Sequence, residues 1–171
     1  KNISKLFPEG YAVIDRMGLI TADPEIAAAM VPALVTQIGG REYAPRRSRT
    51  SKLLDFLRDP DRIGTRTLGN CVISVNEGEI KIYREYGTIS DKVPVRCSSC
   101  VTWDNRFLIK LRPLNAPSDS VVTALGRDGW EAIAARTSSE NRRIPGPVRY
   151  SLPAIRLAAI SASPVVLVLT P

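Results

Sequence analysis

The 171-residue chain contains no histidine. Any mechanism that needs an imidazole as general base, metal ligand or triad member is therefore closed to it. Cysteine is scarce, with Cys71, Cys97 and Cys100 the only ones. An odd, low count argues against a secreted disulfide framework and for a reducing cytoplasm. Cys97-Ser98-Ser99-Cys100 has the spacing of a zinc knuckle or redox pair. Zinc takes four ligands, however, and no second pair completes the set. A thioredoxin-like site would open a helix, whereas Val101, Thr102 and Trp103 read as strand. No Gly-x-x-x-x-Gly-Lys phosphate loop and no Gly-x-Gly-x-x-Gly turn is present. Gly39-Gly40 follows a helical pattern, so it reads as a helix stop. No apolar run reaches the ~18 residues of a spanning helix, so no membrane contact is expected. Lys1-Asn2-Ile3-Ser4 has neither an initiator Met nor an apolar signal core, so a piece of a longer cytoplasmic protein is expected.

What is present suits a folded chain. Apolar residues make up 44% and charged residues 24%, both near globular averages. The net charge is +7, and its excess is concentrated. Residues 41–66 hold 8 basic side chains, Arg41, Arg46, Arg47, Arg49, Lys52, Arg58, Arg62 and Arg66, against 4 acidic ones. Residues 101–150 hold 8 against 5, whereas residues 1–40 carry a net of −1. Arginine dominates, and its planar fork suits phosphates and stacks on bases. Such a patch is the electrostatic footprint of nucleic acid. The candidate contacts are Arg41, Arg46, Arg47, Arg49 and Lys52, with Arg142 and Arg143 in a second basic stretch.

Asp23-Pro24-Glu25 is a helix start with an N-cap, an early Pro and an acid favoured by the dipole. Ile26, Met30, Leu34 and Ile38 form an apolar face with Ala27, Val31 and Val35 beside them, and Pro32 should kink the helix. A second helix is expected from Ser48 or Thr50 to Asp59, with Leu53, Leu54 and Leu57 inward and Pro60 ending it. The period then becomes two. Cys71, Ile73 and Val75, a turn at Asn76-Glu77-Gly78, and Ile80 and Ile82 predict a hairpin. Residues 87–100 lack pattern and read as a linker. Val101 and Trp103, a turn at Asp104-Asn105, then Phe107, Ile109 and Leu111 predict a second hairpin.

Ser118 or Asp119 is expected to cap a short helix carrying Val121, Val122 and Leu125 and closed by Gly126. Asp128 would cap another with Trp130, Ile133 and Ala134. Residues 137–149 read as a basic loop, and Ala154–Ile160 and Val165–Thr170 as strands. The class is α+β in two small lobes. Residues 1–88 would hold a helix pair with a hairpin, and residues 99–171 a compact β-α-β lobe. Asp59 and Asp61 flank Pro60 at a helix end, where acids are solvated. Trp103 and Trp130 sit at the period of their own elements, which favours core roles over base stacking. The residues therefore describe a non-catalytic, basic binding module. RNA binding and protein interaction by an apolar helix face, with incidental charge, both fit it. An independent enzyme is disfavoured by the missing motifs.

Three segments narrow the choice: Gly39-Gly40-Arg41-Glu42-Tyr43-Ala44-Pro45-Arg46, Arg66-Thr67-Leu68-Gly69-Asn70-Cys71-Val72-Ile73, and Leu125-Gly126-Arg127-Asp128-Gly129-Trp130 ahead of Ser151-Leu152-Pro153-Ala154. In this order they resemble the C-terminal region of bacterial tRNA(Ile)-lysidine synthetases of the alphaproteobacterial type, from about Leu6 to Val168. That resemblance implies an intact ligase that adenylylates the wobble cytidine of tRNA(Ile) with ATP. Lysine then displaces AMP, which converts the anticodon to isoleucine decoding. It implies that ATP, with Mg, is bound by an N-terminal catalytic domain that also partners this region. The family's Ser-Gly-Gly-x-Asp-Ser loop is missing here, so no catalytic residue carries over. The chain alone is expected to be inactive and to bind tRNA(Ile), not DNA.

Overall fold

The structure is a computed structural model and describes residues 2–94, 100–110, 120–136 and 143–156. The chain divides into two compact units, Lys1–Glu85 and Tyr86–Pro171. Its class is α+β, as the pattern of periods predicts.

In the first unit, β1 (Ser4–Phe7), β2 (Tyr11–Asp15), β3 (Gly64–Leu68), β4 (Cys71–Val75) and β5 (Glu79–Arg84) form one antiparallel sheet in the order β1-β2-β5-β4-β3. Helices α1 (Arg16–Thr21), α2 (Pro24–Ile38) and α3 (Arg47–Arg58) lie between β2 and β3 in sequence. Period-two alternation turns Ala12, Ile14, Cys71, Ile73, Val75, Ile80 and Ile82 to one face. There they pack with Leu19, Ala27, Val31, Val35, Ile38, Leu53, Phe56 and Leu57 of the helices. The Asp23 carboxylate caps α2 by accepting from the Glu25 amide at 2.7 Å. The helix runs on through Pro32 to Ile38, so the proline does not divide it.

Two features of this unit escaped the pattern. The β1–β2 hairpin supplies one edge of the sheet and β3 the other, although the expected strands began only at Cys71. Arg16, at the start of α1, is 2% exposed. Its guanidinium donates to the carbonyls of Asn76 (2.8 Å), Asp59 (3.0 Å), Pro60 (2.9 Å) and Arg62 (2.7 Å). It thereby ties the β4–β5 turn to the segment that follows α3.

The second unit has a 3-10 turn at Tyr86–Thr88, then β6 (Val93–Pro94), β7 (Cys100–Trp103), β8 (Phe107–Lys110), β9 (Val121–Ala124), α4 (Gly126–Ile133), a 3-10 turn at Ala134–Arg136, α5 (Gly146–Tyr150) and β10 (Pro153–Arg156). Strands β10-β9-β6 form one antiparallel sheet, and β7-β8 form the expected hairpin. Trp103, Phe107, Ile109, Val122, Ala124 and Ile155 make its core, against which Ile89, Val93 and Val101 pack. Trp103 is fully buried, and its indole donates to the Asp91 carbonyl at 3.1 Å.

Four expectations need correction here. The linker at 87–100 contains β6, and Ile89 and Val93 pack into the second core. The short helix expected around Val121–Leu125 is the strand β9: Val122 and Ala124 point inward in alternation, a pattern that a count of apolar residues confuses with a helix turn. Gly126 opens α4 instead of closing a helix, and Asp128 lies in the first turn of α4, not at its cap. The basic loop at 137–149 includes α5, which has Pro147 in its first turn and whose Val148 is buried. The strand at Ala154 is β10, ending at Arg156. Leu111, Ser118, Asp119, residues 137–142, residues 157–160 and the strand expected at Val165–Thr170 lie outside the described residues.

Candidate nucleic-acid interface

Helix α3 is amphipathic by spacing. Thr50, Leu53, Phe56 and Leu57 are buried on the sheet side. Arg49 and Lys52, three residues apart, project from the neighbouring face. Across from them runs the edge strand β3 with its turn into β4. Together they enclose an open cleft of about 470 Å³, lined by Arg49, Lys52, Leu53, Phe56, Arg66, Thr67, Leu68, Gly69, Asn70 and Glu85. Leu53 and Phe56 give it an apolar floor. Three cations face a single carboxylate around it.

Register explains the position of Arg66. It pairs with Ile73, which pairs with Ile82, which pairs with Ala12. Arg66 thus belongs to the core-facing row but sits at the sheet edge. Its guanidinium lies 4.2 Å over the Phe56 ring and donates to the Thr65 carbonyl at 3.0 Å. A charge on the inward face of an edge strand also discourages pairing with another chain.

The turn that closes the cleft is made by Gly69 (φ 59) and Asn70 (φ 64). Two positive φ values in a two-residue loop match the twist of a hairpin. A methyl group on Gly69 would stand 2.8 Å from Val35 Cγ1, 3.2 Å from Pro45 Cγ and 3.4 Å from Arg41 Cδ. One on Gly39 would stand 2.0 Å from the Gly69 carbonyl oxygen. The Asn70 amide donates to the Gly39 carbonyl at 3.3 Å, and the Cys71 thiol to that of Val35 at 3.3 Å. The first two of the three sequence segments therefore meet in space: the end of α2 is pressed onto the β3–β4 turn.

Among the described residues, none of Arg49, Lys52 and Arg66 is in an ion pair. Other cations of the same stretch are used internally. Arg62 pairs with Asp59 at 2.8 Å, and Arg58 donates to the carbonyls of Ile20 and Ala22 at 3.1 Å. Of the residues singled out from sequence, Arg49 and Lys52 line the cleft. Arg41 is exposed against its closing turn. Arg46, at the N-cap position of α3, and Arg47, its first residue, are exposed beyond the cleft lining. Arg143 is exposed ahead of α5 in the second unit, and Arg142 lies outside the described residues, as does Cys97. Cys71 is buried and Cys100 exposed. Trp130 is half-buried with the Arg149 guanidinium 4.4 Å over its ring. The contribution of Arg66, Phe56 and Asn70 to the cleft was not read from the sequence. The signal was Arg66 itself, an arginine at a core-phase position of a strand.

No helix of the described residues is long and apolar enough to cross a membrane. No family model and no solved structure matches the chain. Curated relatives do. The chain is 27% identical over 129 residues to the tRNA(Ile)-lysidine synthase of Rickettsia akari (strain Hartford), covering 75% of this chain and 29% of that protein. It is 28% identical over 139 residues to the tRNA(Ile)-lysidine synthase of Orientia tsutsugamushi (strain Boryong), covering 81% and 31%. The Rickettsia prowazekii (strain Madrid E) protein of the same name is 28% identical over 129 residues. The chain spans about three tenths of the length of the curated relatives it matches. Over most of its own length it is similar to a region of the tRNA(Ile)-lysidine synthases, the family that the three segments resemble.

Proposed function

We propose that this chain is the tRNA-holding portion of a tRNA(Ile)-lysidine synthase and that the cleft between α3 and β3 grips phosphates of the tRNA. The observation that carries this reading is the trio Arg49, Lys52 and Arg66 around the cleft, with no ion-pair partner among the described residues. Such cations replace condensed counterions along an RNA backbone, and the released ions drive association. Arg41, Arg46 and Arg47 extend the positive field along the end of α2 and the start of α3. Contacts of this kind give affinity and register, not sequence.

Adenylylation of a wobble cytidine is mostly positioning and charge stabilisation about a phosphate. A remote module contributes by binding the tRNA body, so that the anticodon loop is held against the catalytic domain. ATP and Mg belong to that domain. The cleft described here has one carboxylate, Glu85, a donor set that does not fit a divalent cation with its nucleotide. This chain's role is confined to holding the RNA.

The test is filter binding of a tRNA(Ile) transcript to the whole chain at several salt concentrations. Replacing Arg49, Lys52 and Arg66 together by Ala should weaken binding and reduce the log–log salt slope by about 2–3 units, since each phosphate contributes about 0.7–0.9. Unchanged affinity and slope, with the fold confirmed by circular dichroism, would reduce these residues to a solvated face.

A further inference from the structure

We propose that the second unit carries its own contact for unpaired RNA bases, built from Tyr86, Tyr150, Arg127 and Arg156 around Gly126. This rests on the reading that the chain binds RNA, and it adds stacking to the phosphate contacts of the first unit. The cluster converges on one backbone point. Gly126 has φ 70, and the position its missing Cβ would occupy is 2.8 Å from the Tyr86 hydroxyl and 3.7 Å from Arg156 Nη2. Arg156 is held there by donating to the Leu125 carbonyl at 3.3 Å. The Tyr86 and Tyr150 rings meet edge to face, with centroids 6.3 Å apart and planes at 64°. The Arg127 guanidinium stands 5.9 Å from the Tyr150 ring.

These groups are not consumed by the core. Tyr86 is 44% exposed, in a chain with only 6% aromatic residues. Arg127 and Arg156 are exposed, and Arg127 makes no hydrogen bond or ion pair among the described residues. The nearby acids of α4, Asp128 and Glu131, are exposed and leave Arg127 unneutralised by any direct contact. Trp130 and Arg149 differ in kind. Arg149 Nε donates to the Ile144 carbonyl at 2.6 Å while its guanidinium stacks on Trp130, so that pair fastens α5 to α4. Exposed tyrosine beside free guanidinium is the chemistry that takes splayed bases while meeting their phosphates. A duplex hides its base faces and would use only the charge.

The experiment measures fluorescence anisotropy of the whole chain with two probes, a labelled oligoadenylate and a blunt RNA duplex of equal charge. Tyr86→Leu should weaken oligoadenylate binding about tenfold, in the range of one lost base stack, and leave the duplex unaffected. Tyr86→Trp should preserve it. Arg127→Ala, an exposed change that keeps the fold, should weaken the single strand more than the duplex. Replacing the cleft trio of the first unit should weaken both probes. Single-strand affinity within twofold of the parent in both Tyr86→Leu and Arg127→Ala would overturn the proposal. So would a parent chain that binds the duplex but not the oligoadenylate, while leaving the RNA reading intact. A parent that binds neither probe would remove both. Capture of polyglutamate with the same Tyr86 and Arg127 dependence would assign the cluster to an acidic protein segment and overturn it.

Discussion

Replacement of Arg16 by Met tests whether a buried cation holds the first unit together. The side chain is 2% exposed and donates four hydrogen bonds of 2.7–3.0 Å, all to backbone carbonyls. No carboxylate pairs with it in these contacts, so the cost of removing the guanidinium from water is offset only by carbonyl dipoles. Met keeps the apolar stem and removes every donor. Each orphaned carbonyl shut away from water costs about 1–3 kcal/mol. Asn76, Pro60 and Arg62 are themselves exposed residues, so some of their carbonyls regain water after the change. The expected loss is therefore about 3 kcal/mol, near the lower end for breaking a buried ionic contact. With a urea m-value of about 1 kcal/mol/M for so small a unit, the midpoint should fall by about 3 M. Urea unfolding followed by far-ultraviolet circular dichroism measures it. Arg16→Lys should recover only part of the loss, because an ammonium is a point donor and cannot bridge carbonyls of two separate turns. A loss below about 1 kcal/mol for Arg16→Met would show that water replaces the guanidinium without penalty, and the reasoning would fail.

Two further changes address the turn and the sheet. Gly39→Ala forces a methyl to 2.0 Å from the Gly69 carbonyl oxygen, a backbone atom, and should cost about 3 kcal/mol or more. Gly69→Ala, with φ 59 and a clash against a side-chain methyl of Val35 in place of a backbone atom, should cost less, about 2 kcal/mol, and thermal melts giving the reverse order would contradict the packing described. Burial raises the Tyr11 and Tyr83 phenols above the ordinary value of 10.0, with Glu9 and Glu79 adding to Tyr11. A raised folded-state value favours the protonated form on folding, so this contribution is whole below the unfolded value and is lost as pH rises through the folded one. Alkaline titration at the phenolate absorbance band should show a late component that Tyr11→Phe and Tyr83→Phe each diminish, and its persistence in both variants would contradict the burial.

Where one element has one strong signal, the sequence predicted it well. Asp23-Pro24 and Gly39-Gly40 bracket α2, and the alternation through Cys71, Ile73, Val75, Ile80 and Ile82 gives β4 and β5. The misses share a cause. β1 and β6 are edge pieces of four and two residues, each paired on one side only, to β2 and β9. A strand of two to four residues has too few positions for a period, so only its pairing defines it. At Val121–Ala124, β-branched residues outweighed a spacing that also fits a helix, because β9 gained partners on both sides.

The candidate cleft was legible as charge and illegible as geometry. Arg49 and Lys52 follow from one helix face, but a cleft needs a second wall, and that wall comes from β3. Arg66 reaches it because Gly39 and Gly69 let α2 close against the β3–β4 turn, which fixes the edge strand beside α3. Counting cations along residues 41–66 cannot separate Arg66 from Arg62, which pairs with Asp59, or from Arg58, which caps α1 carbonyls. Each of the three is basic and near the same helix end. What separates them is what each meets: Arg62 a carboxylate and Arg58 two carbonyls at the end of α1, whereas Arg66 meets only its neighbour's carbonyl and the Phe56 ring, with no ion pair among the described residues. The same distinction marks Arg127 off from Arg149 in the second unit. Arg149 is spent on the Ile144 carbonyl and the Trp130 ring, whereas Arg127 makes no hydrogen bond or ion pair among the described residues. A cation that the fold does not use internally is the one available to a ligand.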